Sequence, residues 1–342
     1  MKPYLQKLMV GEDLTMEEMT EAARLLFTGE ATESEAGALL GLLALKGETA
    51  GEVTGLVNAI RERSVPIATM QGSIMDNCGT GGDGSKSFNI STTSAFVIAG
   101  AGITVAKHGN RSISSQTGSA DVLEQLGVSI DNQPEETAQL LAENGIAFLF
   151  APNVHPAMKA VMKVRRDLRV PTIFNLIGPL TNPLQLETQL LGIYRRDKLK
   201  LMGEVLHQLG RKRAVIINGA NYMDEASLAG ENHLVVLENG QLTEMTLTPK
   251  DVGLPTYTID EIAGGDADRN ARIMMSVLNG DEGPFRDTVI LNAGIGIYAN
   301  GKAHSIQEGI ELAKESLGSG AALAKLEFLI EKSKHSQKQG VI

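Results

Sequence analysis

The feature that most constrains this 342-residue chain is the glycine-rich stretch at residues 76–92, DNCGTGGDGSKSFNIST. Four glycines fall within six positions, and Gly79, Gly81 and Gly84 match the pattern G-x-G-x-x-G. A short apolar run precedes the loop, and the helical pattern NISTTSAFVIAGAG follows it. A strand, a glycine loop and a helix in this order place backbone amides and the positive end of a helix around an anion. The stretch therefore predicts a phosphate-binding loop in an α/β fold.

The glycine pattern does not fit a dinucleotide site. Such a site carries an acidic residue about 20 positions further on, where it holds a ribose hydroxyl. The corresponding stretch here, ITVAKHGNRSISSQTGS, offers Lys107, His108 and Arg111, followed by several serines. These donors favour anionic oxygens. A lone glycine motif is more often a surface turn, but two loops that each end a strand and open a helix favour a shared phosphate site. A nicotinamide dehydrogenase stays a distant alternative.

The rest of the chain predicts two structural units. The N-terminal segment repeats a Ser/Thr-x-x-Glu capping box before each of three amphipathic runs, which predicts a small helical bundle. The boxes are Thr15-x-x-Glu18, Thr32-x-x-Glu35 and Thr49-x-x-Glu52. From residue 74, short β-like runs alternate with helical ones and predict an α/β domain whose central, mostly parallel sheet is flanked by helices. The run HLVVLENGQLTEMTL predicts a hairpin turned on Asn239-Gly240. The proline-rich PTIFNLIGPLTNP predicts a rigid connection between the units.

An acidic pair follows a later predicted strand. After RAVIING comes ANYMDEASLAG, which places Asp224 and Glu225 on a strand-end loop. An acidic dipeptide is usually only solvated charge. Beside phosphate loops, however, carboxylates suggest Mg²⁺, which binds through one or two carboxylates and substrate phosphates. Ser91, at the opening of the first helix of the α/β unit, could add a hydroxyl ligand.

Charge and cysteine usage limit the partners. The formal net charge is −10, which disfavours nucleic acid and anionic membranes as partners. Cys78 is the only cysteine, so an internal disulfide is excluded and a reducing, cytoplasmic location is expected. The N-terminus lacks the apolar core of a secretion signal, and no apolar run approaches the length of a membrane span.

Five motifs, in order over essentially the whole chain, resemble the anthranilate phosphoribosyltransferases of tryptophan biosynthesis. The motifs are GTGGDGSKSFNIST, KHGNRSISSQTGSADVLEQLG, VRRDL, FNLIGPLTNP and MDEAS. The resemblance implies transfer of the phosphoribosyl group of phosphoribosyl pyrophosphate (PRPP) to the amine of anthranilate, with release of pyrophosphate. It also implies two Mg²⁺ ions, a homodimer formed through the helical domain, and a cleft between two domains. The expected division is a helical domain at residues 1–70, with a later contribution from about 165–188, and an α/β domain at 71–342.

The resemblance also implies site residues. PRPP would be bound by Gly79, Gly82, Asp83, Ser87, Asn89, Ile90, Ser91, Thr92, Lys107, His108, Gly109, Asn110, Arg111, Ser112, Ile113, Ser114, Ser115 and Ser119. Anthranilate would contact Gly79, His108, Asn110, His155 and Arg165. The metal ligands would be Ser91, Asp224 and Glu225, and the catalytic groups would be Lys107, Asp224 and Glu225. The chain departs from the family pattern at Arg169-Val170-Pro171 and at Lys163, both near the anthranilate side.

Several alternatives stay open from the residues themselves. Arg165 could lie on a solvated helix face rather than bind a carboxylate, and His155 could be a loop histidine satisfied by backbone. A pyrimidine nucleoside phosphorylase would have a similar architecture but would not need a metal-bridged diphosphate, so the acidic pair argues against it. A non-enzymatic, nucleic-acid-binding relative could use the same cleft, but the net charge weighs against it.

Overall fold

The computed structural model describes residues 1–68, 72–111 and 117–339, with side chains to His335. The chain forms a helical N-terminal domain and a larger α/β domain, as expected. The helices are α1 (Lys2–Met9), α2 (Met16–Thr28), α3 (Glu33–Lys46), α4 (Ala50–Arg61), α5 (Ile90–Gly100), α6 (Ser119–Gln125), α7 (Pro134–Asn144), α8 (Ala151–Val154), α9 (Lys159–Leu168), α10 (Leu199–Gln208), α11 (Ala267–Leu278), α12 (Pro284–Asn300), α13 (Ile306–Gly318) and α14 (Ala321–Gln339). The strands are β1 (Ile74–Gly79), β2 (Thr104–Gly109), β3 (Ile146–Phe150), β4 (Thr188–Gly192), β5 (Arg213–Asn218), β6 (Asn232–Glu238) and β7 (Gln241–Leu247).

The three predicted capping boxes are present and open α2, α3 and α4. In each box the threonine hydroxyl accepts the backbone N–H three residues on, and that glutamate accepts the threonine N–H. The hydroxyl contacts are 3.2 Å in all three. These reciprocal bonds satisfy amide donors that a helix N-terminus otherwise leaves unpaired. The bundle is thus started by purely local interactions, which is why the sequence predicts it well.

The sheet is mostly parallel, as predicted. Its strand order is β3-β2-β1-β4-β5-β6-β7, and the first five strands run parallel. The β6–β7 hairpin is antiparallel and turns on Asn239 and Gly240, with φ of +51° and +77°. Two positive φ values in a two-residue loop match the twist of the flanking strands. The carboxyl ends of the five parallel strands therefore share one edge.

Two hydrophobic cores cover the two faces of the sheet. One buries α5, α12, α13 and α14 against the sheet, and the other joins the N-terminal bundle, α9 and the 173–180 segment to the opposite face. Neighbouring residues of β4 enter different cores, Leu190 the first and Leu191 the second. This follows from the alternation of side chains along a strand. The helical bundle thereby packs on the α/β domain beside the carboxyl edge.

The proline-rich connection is well packed. It forms two 3-10 turns, Ile173–Asn175 and Gly178–Leu180, and Asn182 within it is fully buried. The Asn182 amide donates to Ala106 O at 2.9 Å and to Asp76 Oδ2 at 3.1 Å. The connection is therefore fastened to β1 and β2. Within the described ranges, no helix has both the length and the apolarity of a membrane span.

Candidate active site

The loops that follow β1 and β5 meet the start of α5 at the carboxyl edge. Gly81 N donates to Asp224 Oδ2 at 2.6 Å, which joins the glycine loop to the acidic loop. The Asn77 amide donates to Ser91 O at 2.8 Å, and the Lys107 ammonium donates to Asn77 O at 2.7 Å. The structure therefore brings together the glycine loop and the acidic pair, although Gly81 and Asp224 are 143 residues apart in sequence.

The glycine loop adopts a conformation that demands glycine. Gly81, Gly82 and Gly84 have φ of +69°, +80° and +73°. Asp83 holds the turn from within, because its Oδ1 accepts both the N–H and the hydroxyl of Ser85 at 3.0 Å. A Cβ on Gly82 would lie 3.7 Å from the Tyr194 ring. The loop is thus a compact turn that exposes backbone amides at the edge of the sheet.

The acidic loop lies directly on the ends of three strands. A Cβ on Gly79 would overlap the Asp224 carboxylate, and one on Gly192 would overlap the Asp224 carbonyl. A Cβ on Gly219 would likewise overlap the carbonyl of Glu225. Only glycine permits this approach of backbone to backbone. Sequence reasoning found Gly79 but missed Gly192 and Gly219, whose signal is a glycine at the end of a buried strand.

Three carboxylates are crowded in this site. Burial, followed by the charge of Asp83, raises the pKa of Asp224 to about 7. Burial, followed by the charge of Asp224, raises the pKa of Glu225 to about 8. The Lys107 ammonium and a hydrogen bond with Ser91 partly oppose the rise at Glu225. A cation at this place would offset both the burial and the mutual repulsion.

This donor set fits Mg²⁺. Asp224, Glu225 and the Ser91 hydroxyl supply oxygen ligands, which that ion prefers. In the described part of the chain, no group of three or more His, Cys, Asp or Glu side chains forms a complete metal cage. Mg²⁺ does not require one, because it keeps several waters and binds substrate phosphates beside one or two carboxylates. The acidic loop is therefore suited to an ion that arrives with a phosphate ligand.

Lys107 is buried rather than exposed in the cleft. Its side chain is 2% exposed, and its ammonium donates to Asn77 O. The positive charge still reaches the acidic loop, because it lowers the pKa of Glu225. The position favours a contribution through charge and through the placement of β1 beside β2.

His108 and His155 pack together on the side of the sheet that faces the bundle. Their rings lie edge to face with centroids 5.1 Å apart, and both are buried. His155 Nδ1 lies 2.9 Å from Ser64 Oγ, at the end of the bundle. Burial lowers the pKa of His155 to about 4 and that of His108 well below its usual value. Both rings are therefore neutral at pH 7, and each leaves Nε2 without a hydrogen-bond partner among the described residues.

Arg165 and Arg166 of α9 have different surroundings. The Arg165 guanidinium is half-buried, lies 5.0 Å from the centroid of the Phe174 ring, and has its pKa lowered by burial. Arg166 is exposed. Within residues 1–68, 72–111 and 117–335, Arg165 forms no ion pair. It is thus a desolvated cation held against an aromatic ring and open to an anionic ligand.

Most of the other residues that are expected to bind PRPP lie at the start of α5, at the end of β2 and at the start of α6. Ser87, Asn89, Ile90 and Thr92 lie at or before the first turn of α5, Gly109 ends β2, Asn110 follows it, and Ser119 begins α6. The Arg111 guanidinium instead pairs with Glu124 and Asp121 of α6. Ser112, Ile113, Ser114 and Ser115 lie outside the described residues.

The chain matches two family models. The a/b domain of a glycosyl transferase family matches residues 71–323, and the helical bundle domain of a glycosyl transferase family matches residues 2–64. The anthranilate phosphoribosyltransferase of Listeria monocytogenes is 58% identical over 330 residues, covering 96% of this chain and 97% of the relative. The anthranilate phosphoribosyltransferase of Bacillus mycoides is 56% identical over 333 residues, which cover 97% of this chain and 98% of the relative.

Solved structures agree in fold. The chain is similar to the anthranilate phosphoribosyltransferase of Thermus thermophilus, with a TM-score of 0.92 and 41% identity over 97% of this chain and 99% of the other. It is also similar to the Saccharomyces cerevisiae enzyme in complex with PRPP and Mg, with a TM-score of 0.88 and 26% identity over 97% of each chain. The same yeast enzyme in complex with 4-fluoroanthranilate gives a TM-score of 0.87 at 26% identity, again over 97% of each chain.

Proposed function

The chain belongs to the anthranilate phosphoribosyltransferase family, and from this premise we propose that the joined glycine and acidic loops carry the transfer. The chain catalyses Mg²⁺-dependent transfer of the phosphoribosyl group from PRPP to the amine of anthranilate, a step of tryptophan biosynthesis. The observation that carries the site assignment is the bond from Gly81 N to Asp224 Oδ2. It joins the loop that would bind phosphate to the carboxylates that would hold the metal.

On the PRPP side, the site holds and stabilises the leaving group. The bond from the ribose anomeric carbon to pyrophosphate breaks, and negative charge develops on the departing oxygens. Mg²⁺ held by Asp224 and Glu225, with the Ser91 hydroxyl, would supply charge neutralisation there. The amides of the glycine loop and of the first turn of α5 are fixed donors, which need no reorganisation when the charge forms.

Two Mg²⁺ ions are part of this proposal. Support comes from the number of carboxylates, since Asp83 lies beside Asp224 and Glu225 and its oxygen accepts Asp224 N–H at 3.4 Å. Mg²⁺ uses one or two carboxylates per ion when phosphates complete its shell. Diphosphate oxygens and waters would therefore have to supply most of the ligands of both ions.

On the anthranilate side, the site positions a neutral nucleophile. The aromatic amine already has a lone pair at pH 7, so its nitrogen can form the new bond to the anomeric carbon without a strong base, and the proton that the nitrogen then loses passes to the departing pyrophosphate. We infer that Arg165 binds the anthranilate carboxylate, because guanidinium groups bind carboxylates through two donors. The buried His108 and His155 rings are neutral and add little competing charge. Catalysis on this side is then mainly positioning.

The assay that tests the function is the loss of anthranilate fluorescence on mixing with PRPP and Mg²⁺. We expect loss that requires all three components. A parallel reaction with a pyrimidine nucleoside and inorganic phosphate should release no base. Phosphorolysis of the nucleoside, with stable anthranilate fluorescence, would contradict the proposal.

The domain division is also a proposal. We place the helical domain at residues 1–70 with a contribution from about 165–188, and the α/β domain at 71–342. Support comes from the core that the bundle shares with Ile173, Leu176 and Leu180. We further propose a cytoplasmic location, since the single Cys78 allows no internal disulfide.

A homodimer through the helical domain completes the proposal. Met9, the last residue of α1, and Val10, which follows it, are each 72% exposed, and Leu45, in the last turn of α3, is 85% exposed. Since α1 packs on α3, these apolar side chains belong to one small domain, and such groups often mark an interface. Light scattering should give twice the chain mass, and Leu45→Glu should reduce it. A monomeric wild-type protein at micromolar concentration would contradict the dimer.

A further inference from the structure

A closed ring of four hydrogen bonds joins the two phosphate loops to α11. Asn89 Nδ2 donates to Thr117 O at 3.2 Å, and Thr117 Oγ1 donates to Gly265 O at 2.7 Å. Gly265 N then donates to Asn270 Oδ1 at 2.8 Å, and Asn270 Nδ2 donates to Asn89 Oδ1 at 2.8 Å. Each of the four residues donates one bond of the ring and accepts one.

The ring connects three segments that are far apart in sequence. Asn89 precedes the first turn of α5, and Thr117 stands two residues before Ser119 at the start of α6. Asn270 lies in α11, 181 residues beyond Asn89. Asn89 and Ser119 belong to the two different loops that are proposed to bind PRPP. Their spacing is therefore fixed by the direct bond from Asn89 to Thr117 and is supported by a helix that belongs to neither loop.

The third segment approaches the glycine loop closely. Asn270 is 2% exposed and Thr117 is 6% exposed. Gly264 N donates to Lys86 O at 2.9 Å, and a Cβ on Gly264 would lie 2.8 Å from Phe88 Cα and 2.9 Å from Asn270 Oδ1. Glycine is needed for this contact, which packs the 264–265 backbone against residues 86–88. The arrangement is closely packed rather than a surface contact.

We propose that Asn270 and Thr117 are positioning residues for PRPP. Through the ring they hold the start of α5 and the start of α6 at the spacing at which both can bind one phosphoribosyl pyrophosphate. The inference rests on the proposed function, because PRPP must be the ligand of both loops. Displacement of one loop by about 1 Å would leave its donors misdirected, and such misplacement costs up to about 100-fold in rate.

The test compares variants that each open the ring: Thr117→Val removes one of its bonds, and Asn270→Ala removes two. Asn270→Ala and Thr117→Val should each raise the KM for PRPP about 10-fold while the KM for anthranilate changes less than twofold. Thr117→Ser retains the hydroxyl and should restore wild-type KM. Because either change opens the same ring, the double variant should raise the KM for PRPP about 10- to 20-fold rather than about 100-fold.

Asn144→Ala is the matched control. Asn144 is also a buried amide, and it donates to Lys325 O at 3.0 Å at the far end of α7. The Asn144→Ala variant should have a lower melting temperature than the wild type and an unchanged KM for PRPP. An unchanged KM for PRPP in a folded Asn270→Ala or Thr117→Val protein would overturn the proposal, even if the melting temperature falls. If Asn270→Ala does not fold, the comparison of Thr117→Val with Thr117→Ser decides. Absence of wild-type transferase activity would instead contradict the proposed function.

Discussion

Burial and mutual repulsion oppose the ionisation of Asp224 and Glu225. Two carboxylates in such a place are explained by a cation that they bind. Asp224→Asn and Glu225→Gln should each reduce turnover by about 100-fold or more, because the loss of a ligand to the metal removes stabilisation of the leaving group. The folded state should remain, with an equal or higher melting temperature in Mg²⁺-free buffer. Asp260→Asn, at an exposed position, is the control and should leave both quantities unchanged. Near-wild-type turnover of either site variant at limiting Mg²⁺ would contradict the assignment.

Arg165 should determine the affinity for the acceptor carboxylate. Arg165→Ala should raise the KM for anthranilate about 10- to 100-fold, which corresponds to the loss of one charge-assisted contact of about 1.5–3 kcal/mol. The KM for PRPP should barely change. Aniline, which lacks the carboxylate, should react poorly with the wild type and respond little to the substitution. Arg166→Ala, at the exposed neighbouring position, is the control and should leave the KM for anthranilate unchanged. An equal change of this KM in both variants would show that the carboxylate binds elsewhere.

His155 should make the fold sensitive to acid. Its pKa is about 4 in the folded protein and 6.5 in the unfolded chain, so the unfolded state binds the proton first. Its contribution to stability is intact above pH 6.5 and is lost as pH falls toward 4, by about 2.5 kcal/mol at pH 4.5. His155→Gln removes this titration. Urea unfolding should show that the variant has a lower free energy of unfolding than the wild type at pH 7.5, and that this difference is smaller at pH 4.5. An equal difference at both pH values would contradict the interpretation.

At the scale of elements, the acidic loop depends on strands that end in glycine. Gly192→Ala should displace the Asp224 backbone, lower turnover at least about 10-fold, and reduce the free energy of unfolding by about 1–3 kcal/mol. Gly41→Ala is the matched control, because a Cβ there meets nothing within 4 Å inside α3. It should leave turnover unchanged and stabilise the helix by about 0.5–1 kcal/mol. Full activity of Gly192→Ala would show that the loop does not need this close approach.

The sequence predicts the elements that local interactions determine. Capping boxes, the Asn239-Gly240 turn and the glycine loop each carry their own signal within a few residues, and the structure confirms them. No comparable local signal predicts α11 or α12. For residues 171–183 the prolines predict only a rigid connection, because its 3-10 turns are held by tertiary bonds such as that from Asn182 to Asp76. The sequence also gives no local signal for the close contacts of Gly192 and Gly219 with the acidic loop, or for the hydrogen bond between Asn270 and Asn89.

At the scale of the whole molecule, the chain presents two kinds of candidate surface. The glycine and acidic loops bring backbone donors and carboxylates, whereas the bundle side brings Arg165 and the neutral His108–His155 pair. One half is suited to a metal-bound diphosphate and the other to an aromatic carboxylate. The family resemblance suggested this division from motifs in chain order, but the contact between the glycine loop and the acidic loop became visible only with the packed sheet.

A Mg²⁺ titration at fixed PRPP, followed by anthranilate fluorescence, probes the joined glycine and acidic loops together. We expect no loss of fluorescence without the metal and a rate of loss that saturates as Mg²⁺ rises. In the same titration, Asp224→Asn should require far more metal or fail to respond. Fluorescence loss at full rate in the presence of a chelator, or no loss at any Mg²⁺ concentration, would contradict a site built from the glycine loop and the acidic pair.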